Sequence, residues 1–232
     1  MNQLVTEGII LSRTDYGEAD RILTVLTPDY GKLRLMAKGV RRVKSKLAGG
    51  IELFSVSSIT FVRSRSGGIG TLISTRLQRH YGNIVTDLDR TMLGYELIKQ
   101  LNKITEDEAE ADYFEIMHQA FEALDDHSIA LPLVHLWFNA QLLQLGGHTP
   151  NLQTDTAGNK LDAKKLYSFD LDAMTLVLQV DQGQLGVDHI KFIRLAFDGR
   201  HTPKALAMVR GSAALAATWL PLVQAMTREH LT

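Results

Sequence analysis

The sequence of 232 residues contains no cysteine. This absence excludes disulfide bonds, thiol nucleophiles and every zinc site built from cysteine ligands, and it favours a reducing cytoplasm. The first eleven residues lack the charged start and apolar core of a secretory signal. The longest uncharged stretch, 211–227, contains polar residues and a proline and is at the short limit for spanning a bilayer. A buried C-terminal helix is therefore expected there, and no membrane partner.

Sequence motifs of common enzymes are also missing. The chain has no phosphate-binding Gly-x-x-x-x-Gly-Lys-Ser/Thr, no Gly-x-Ser-x-Gly and no His-Glu-x-x-His. Gly68-Ile69-Gly70 lacks the third glycine of a dinucleotide-binding fingerprint. We therefore expect a protein that is not an enzyme and needs no cofactor.

Charge is distributed unevenly, although the net charge is only −1. Residues 1–80 contain 13 lysines and arginines against 6 acidic residues, whereas residues 81–232 contain 12 against 20. Such a split predicts a basic module that meets nucleic acid and an acidic module with a different task.

The stretch 38–46 is the most basic part of the chain, with five cations in nine residues and no acid. Before it, residues 32–38 alternate, so that Lys32, Arg34 and Lys38 share one exposed face of a predicted strand. A solvated surface is the alternative, but continuity between strand and loop favours binding of a polyanion. The predicted DNA-binding residues are Arg34, Lys38, Arg41, Arg42, Lys44, Lys46, Arg63 and Arg65.

Five short strand-like segments fill the first 80 residues and are joined by turns that contain glycine, among them predicted turns at 14–17 and 27–31. This pattern predicts an α+β protein with an N-terminal oligonucleotide-binding (OB) β-barrel at 1–80, followed by an α-helical domain at 81–232. Tyr16 and Tyr30 are candidates for stacking on bases, whereas Phe54 and Phe61 are expected in the core. The predicted strands are 4–12, 20–27, 32–38, 53–63 and 69–77.

From residue 81 the apolar residues follow a helical period. Thr105 and Glu108 have the spacing of a capping box and predict the start of a second helix there. A loop at 146–165 and a short hairpin at 167–180 form a predicted insertion at about 150–182. The predicted helices are 87–104, 105–124, 129–145, 187–197, a helix that begins at Thr202-Pro203, and 212–231.

Two sets of residues resemble a known family, the RecO recombination mediators. Its N-terminal signature is similar to Gly8-Ile9-Ile10-Leu11, Tyr16-Gly17-Glu18-x-Asp20, Thr27, Gly31-Lys32 and Ala37-Lys38-Gly39-x-Arg41-Arg42-x-Lys44-Ser45. Its middle segment is similar to Leu142-Leu143-x-Leu145-Gly146-Gly147-x-x-Pro150-x-Leu152.

The resemblance implies a non-catalytic mediator of RecF-type DNA repair, cytoplasmic and nucleoid-associated, that binds single- and double-stranded DNA and anneals complementary strands. It implies that RecR is a partner, and that the two help load RecA onto DNA coated by single-strand binding protein (SSB). The acidic, apolar C-terminal tail of SSB is expected to bind the helical part, and charge places that pocket near Lys191 and Arg194.

Many members of the family carry a four-cysteine zinc module after the Leu-Gly-x-x-Pro segment. Here the first cysteine pair would fall near Thr154 and Ala157, so we expect a member without zinc. One alternative to this reading is a protein-interaction scaffold whose basic stretch binds an acidic protein partner. The other is a nuclease or nucleotide-dependent enzyme, against which the missing enzyme motifs argue.

Overall fold

The computed structural model describes residues 2–64, 67–106, 110–179 and 183–231. Its contacts divide the chain into two compact units, Met1–Asp125 and Asp126–Thr232. The predicted α+β class, with an N-terminal barrel followed by helices, is confirmed. The predicted division at residue 80 stays a prediction, and the first compact unit continues beyond it through two helices.

Five strands close the N-terminal barrel in the order β1-β2-β3-β5-β4. All neighbours are antiparallel except β3 and β5, which pair in parallel at Leu35–Gly70 and Met36–Thr71. The strands are β1 (Leu4–Tyr16), β2 (Asp20–Thr27), β3 (Gly31–Ala37), β4 (Ser55–Val62) and β5 (Gly70–His80).

Alternation places β3 as its sequence predicts, with Leu35 and Ala37 buried and Arg34 exposed. The predicted turn at 27–31 also forms, because the Thr27 hydroxyl donates to the Gly31 carbonyl and accepts the Tyr30 amide. The turn predicted at 14–17 lies later, since β1 continues through Tyr16 and pairs with Asp20.

The barrel interior is filled by aliphatic side chains and one aromatic ring, Phe61, which is fully buried. Phe54 is buried as well, so the prediction that both phenylalanines belong to the core is confirmed. The buried cluster of the barrel is Ile10, Leu23, Val25, Leu35, Ala37, Val40, Ile51, Ile59, Phe61 and Leu72.

Two helices complete the first unit, α1 (Leu88–Ile104) and α2 (Ala111–Asp125). The capping box predicted at Thr105 is wrong. Thr105 is the C-cap of α1, and its hydroxyl donates to the Leu101 carbonyl one turn back, so it cannot begin the next helix. Glu108, the other half of the predicted box, lies outside the described residues.

The second unit is mainly helical and carries a three-stranded sheet of order β6-β8-β7. The predicted hairpin is β7–β8, but the segment 146–165 is not all loop, because β6 lies within it and pairs in parallel with β8. Its elements are α3 (Leu131–Leu145), β6 (Asn151–Asp155), β7 (Leu166–Asp170), β8 (Thr175–Gln179), α4 (Val187–Ala196), α5 (Pro203–Ala207) and α6 (Ser212–His230).

None of the helices in the described parts of the chain combines the length and the apolar character needed to cross a membrane.

Candidate nucleic-acid interface

Residues 38–46, the basic loop, are fastened to the end of the barrel at which β1 turns into β2. The Asp20 carboxylate accepts the Gly39 amide at 2.6 Å, and the Ala19 carbonyl accepts the Arg41 amide at 2.9 Å. Val40, between these two anchors, is buried in the barrel core. Gly39 has φ +64°, a conformation that glycine adopts without strain. The start of the loop is therefore held in place while its charged side chains remain exposed.

All five cations of the basic loop are exposed. Arg41 lies 3.5 Å from the Asp15 carboxylate, which Arg21 also contacts at 2.8 Å. The hydrogen bond from Arg21, and then the charge of Arg41, lower the pKa of Asp15 below its ordinary value. Within the described parts of the chain, the other four cations, Lys38, Arg42, Lys44 and Lys46, form no ion pair.

Lys32 does not join the exposed cations of β3, contrary to the sequence prediction. It is half-buried, and its Nζ donates to the carbonyls of Asn102 (3.1 Å) and Thr105 at the end of α1. A helix C-terminus carries partial negative charge and carbonyls without partners, which a lysine satisfies. Arg34, two residues along the same face, is exposed.

We expect Lys32→Met to lower the free energy of unfolding by about 1–2 kcal/mol, because the carbonyls at the end of α1 lose a charged donor. Urea denaturation followed by circular dichroism measures the change. Arg34→Met is the matched control, a substitution of an exposed cation on the same strand with an expected effect within about 0.5 kcal/mol. Equal effects of the two substitutions would contradict this role of Lys32.

A cleft of about 590 Å³ opens at the other end of the barrel. We name it the barrel-end cleft. It is lined by residues 28–35 and by Phe61, Arg63, Ser64, Gly67, Gly68 and Gly70.

Tyr30 contacts two other side chains that line the cleft, Phe61 and Arg63. Its ring meets that of Phe61 edge-on, with centroids 5.5 Å apart, and the guanidinium carbon of Arg63 lies 4.9 Å from the Tyr30 centroid. Since Phe61 is fully buried, it holds the tyrosine ring in a fixed position. Among the described lining residues the one carboxylate is that of Asp29, which accepts the Thr6 hydroxyl at 2.5 Å.

The Tyr30–Arg63 pair and the basic loop lie at opposite ends of β3, while the lining of the cleft continues along β3 to Leu35. Strands that follow one another along this barrel run in opposite directions, so the turn at 28–30 shares one end with the end of β4 and the start of β5, while 17–19 and 38–54 share the other end. Seven residues of β3 separate the ends by about 20 Å. Arg34 lies closer to the loop, four residues or about 13 Å before Lys38, so the cationic surface continues from the cleft along β3 to the loop.

The predicted DNA-binding residues therefore fall into two groups. The basic loop brings Lys38, Arg41, Arg42, Lys44 and Lys46 together at one end, and the cleft brings together Arg34 and Arg63. Arg65 lies outside the described residues. The sequence pattern had named Tyr30 and Arg63 separately but did not connect them, since only the fold brings the turn at 28–31 beside the β4–β5 connection.

In the second unit, the predicted partner-binding residues lie on α4. Lys191 is exposed, whereas Arg194 is half-buried and donates through Nε (3.0 Å) and Nη2 (2.5 Å) to the Leu152 carbonyl of β6. Arg194 thus ties the small sheet to α4. A binding role for the two residues stays a prediction.

The N-terminal barrel is the part of the chain that matches a known protein family. Residues 1–81 match the family model described as "Recombination protein O N terminal". A protein of Halalkalibacterium halodurans named DNA repair protein RecO is 32% identical over 147 residues. The barrel, residues 1–81, is a RecO-type N-terminal domain.

Other RecO proteins match to a similar degree. The RecO protein of a Roseiflexus species is 36% identical over 148 residues, and that of Gloeobacter violaceus is 28% identical over 209 residues, or 86% of this chain. The H. halodurans and Roseiflexus matches cover 63% of this chain each. This chain spans 57% and 51% of the lengths of those two relatives and 78% of the Gloeobacter protein.

The zinc module expected of many RecO proteins does not fit the residues of this chain. Around Thr154 and Ala157 the tight turn is closed by Asp155, whose carboxylate accepts the amides of Ala157 (3.0 Å) and Asn159 (2.8 Å). The Asn159 amide is the main cause that lowers the pKa of Asp155 below its ordinary value. No group of three or more potential metal ligands occurs among the described residues. Hydrogen bonds to a carboxylate close this turn where a metal knuckle would need thiolates.

Proposed function

We propose that this chain is a DNA-binding mediator of recombinational repair that binds both single- and double-stranded DNA and anneals complementary strands. With RecR it helps to load RecA onto DNA coated by SSB. It acts without catalysing a reaction, in the cytoplasm and in association with the nucleoid. The similarity to proteins named DNA repair protein RecO supports the repair role.

The observation that carries the proposal is the basic loop, with its five exposed cations on an anchored backbone. Four of these cations have no carboxylate partner among the described residues, and the fifth, Arg41, has only a surface pair with Asp15 at 3.5 Å. Such cations suit the phosphates of a nucleic acid, because binding releases condensed counterions and little internal pairing must first break. Lysine and arginine contacts to phosphate fix a strand in place without reading its sequence.

Strand annealing requires contacts to the phosphates rather than to the base edges. The base edges of both strands must stay free to pair, so a protein that grips phosphates promotes pairing, whereas one that binds base edges competes with it. The exposed cations of the loop and Arg34 are suited to the first arrangement.

The charge of residues 81–232 and the exposed apolar face of α1 favour protein partners over DNA. Residues 81–232 carry an acidic excess, which repels DNA. In α1, Leu88, Met92 and Tyr95 are exposed along one face, and exposed apolar residues at helical spacing favour protein contacts. These features support binding of RecR and of the SSB tail by the helical part, with Lys191 and Arg194 as the proposed residues for the tail.

The proposal predicts a steep dependence of single-strand affinity on salt. If five cations meet phosphates, log affinity falls against log salt with a slope of about −3.5, from about −0.7 per contact on a single strand. Fluorescence anisotropy with a labelled mixed-sequence strand, titrated across salt, measures the slope, and annealing of complementary strands is followed in the same buffers. An affinity that does not change with salt would overturn the proposal and favour a scaffold whose basic loop binds an acidic protein.

A further inference from the structure

The barrel-end cleft has a chemistry that phosphate binding by the basic loop does not use. It contains a tyrosine ring fixed by a buried phenylalanine, a guanidinium plane over that ring, and an exposed arginine on the adjacent strand. Its volume of about 590 Å³ lies within the range of about 300–1,000 Å³ that is usual for small-molecule sites. The cleft is therefore suited to a compact, planar, anionic group.

The order of these groups indicates how such a ligand would lie. Because the Arg63 guanidinium covers one face of Tyr30, a second flat group can extend the stack on the outer side of the guanidinium. Arg34 supplies a positive charge beside the stack. Gly67 and Gly68 have no side chains to obstruct a ligand backbone at the rim.

We propose that the barrel-end cleft holds one unpaired nucleotide of a DNA single strand, with its base stacked on the Tyr30–Arg63 pair and a phosphate beside Arg34. The inference rests on the proposed DNA-binding function and assigns it a second subsite. Inside a duplex each base is stacked and paired, so no base face is available to enter the cleft.

The two ends of the barrel then have different tasks. The basic loop binds phosphates, which single and double strands both carry, whereas the cleft responds only to unpaired bases. A strand that occupies both sites must cross the length of β3, about 20 Å. The cleft thus gives the protein a preference for single strands that the loop alone cannot give.

Substitutions in the stack test the inference. Tyr30→Leu removes the ring and keeps every charge, and Arg63→Lys keeps the charge and removes the planar guanidinium. We expect each to weaken binding of a labelled oligo(dT) strand of about 15 nucleotides by between about 5-fold and 150-fold, the range for loss of one stacked base. Binding of a duplex of the same length changes by no more than about twofold, because the phosphate contacts of the loop remain.

Two controls separate stacking from other causes. Tyr30→Phe keeps the ring, so we expect it to bind as the unsubstituted protein does. Arg210 is also an exposed arginine, but it lies in the second unit, and Arg210→Lys is expected to leave oligo(dT) binding unchanged.

The results distinguish failure of this inference from failure of the proposed function. An unsubstituted protein that binds oligo(dT) without steep salt dependence overturns the function itself. If the salt dependence is steep but Tyr30→Leu and Arg63→Lys bind oligo(dT) as tightly as the unsubstituted protein, the function stands and the cleft is not a nucleotide site. Equal loss of single-strand and duplex binding in Arg63→Lys, an exposed position at which the fold is not at stake, also overturns the inference.

Discussion

Replacing Lys38, Arg41 and Arg42 together by glutamate is expected to weaken single-strand binding by about 500-fold at about 50 mM salt. Each phosphate contact changes log affinity by about 0.7 per tenfold change in salt, and three contacts are thus worth about 2.7 log units between about 1 M and 50 mM. The salt slope should fall at the same time, from about −3.5 to about −1.4. Repulsion by the new carboxylates adds to the loss.

The fold should tolerate this triple substitution. The three side chains are exposed, and the bonds that anchor the loop involve the amides of Gly39 and Arg41, which the substitutions retain. Arg41→Glu removes the surface ion pair between Arg41 and Asp15, and such a pair contributes little to stability. A thermal melt within a few degrees of the unsubstituted protein should confirm this point before binding is compared.

A matched control changes net charge by the same amount elsewhere. Lys160, Lys164 and Lys165 are three exposed lysines of the second unit, and their replacement by glutamate is expected to alter single-strand affinity by less than about fivefold, through long-range repulsion alone. If both triple variants lose affinity equally, the effect is one of net charge and the basic loop is not the binding site. If neither variant loses affinity, DNA binds to a different surface.

The barrel could be predicted because its signals are local. Alternation along β3 and the Thr27–Gly31 turn are set by neighbouring residues, and these patterns give the strands and their order of connection. The basic loop is a continuous stretch of sequence, so its exposed cations are visible without any fold. Both predictions depend on contacts between residues close together in the chain.

The barrel-end cleft could not be predicted in the same way. It exists because β5 pairs in parallel with β3 and closes the barrel, and in the closed barrel Arg63, just after β4, lies over Tyr30. The exact register of a parallel pair between distant segments has no local sequence signal. The prediction that Lys32 is an exposed cation was wrong for a related reason, since the carbonyls that it contacts at the end of α1 are far away in sequence.

Competition between local signals explains two further differences. Thr105 fits a capping box by spacing, but the same hydroxyl can bond back to Leu101, and the structure has this second arrangement. β6, Asn151–Asp155, has only one buried aliphatic residue, Leu152, so no alternation marks it as a strand. It forms because β8 lies alongside it.

Phe54→Ala is expected to lower the free energy of unfolding by about 3–5 kcal/mol, the usual range for removal of a buried phenylalanine. Phe54 is only 2% exposed although it immediately precedes β4. Its ring meets Tyr95 of α1 and Phe121 of α2 edge-on, with centroids 5.2 and 5.6 Å apart. The residue also has φ +54°, which alanine shares at similar strain, so no backbone relief offsets the lost contacts. Urea denaturation of both proteins measures the difference.

A second substitution tests whether the Phe54 ring stabilises the protein through its contact with Gly94 of α1. A Cβ added at Gly94 would lie 2.6 Å from Cε1 of Phe54, so Gly94→Ala alone is expected to destabilise the protein by about 1–3 kcal/mol. In the Phe54→Ala background the ring is gone, and Gly94→Ala should instead stabilise by about 0.5–1 kcal/mol through helix propensity. The change of sign is the decisive result, because contacting residues give non-additive free energies whereas independent ones add. Additive effects would mean that α1 is held against the barrel by other contacts, and that Phe54 contributes only its own burial.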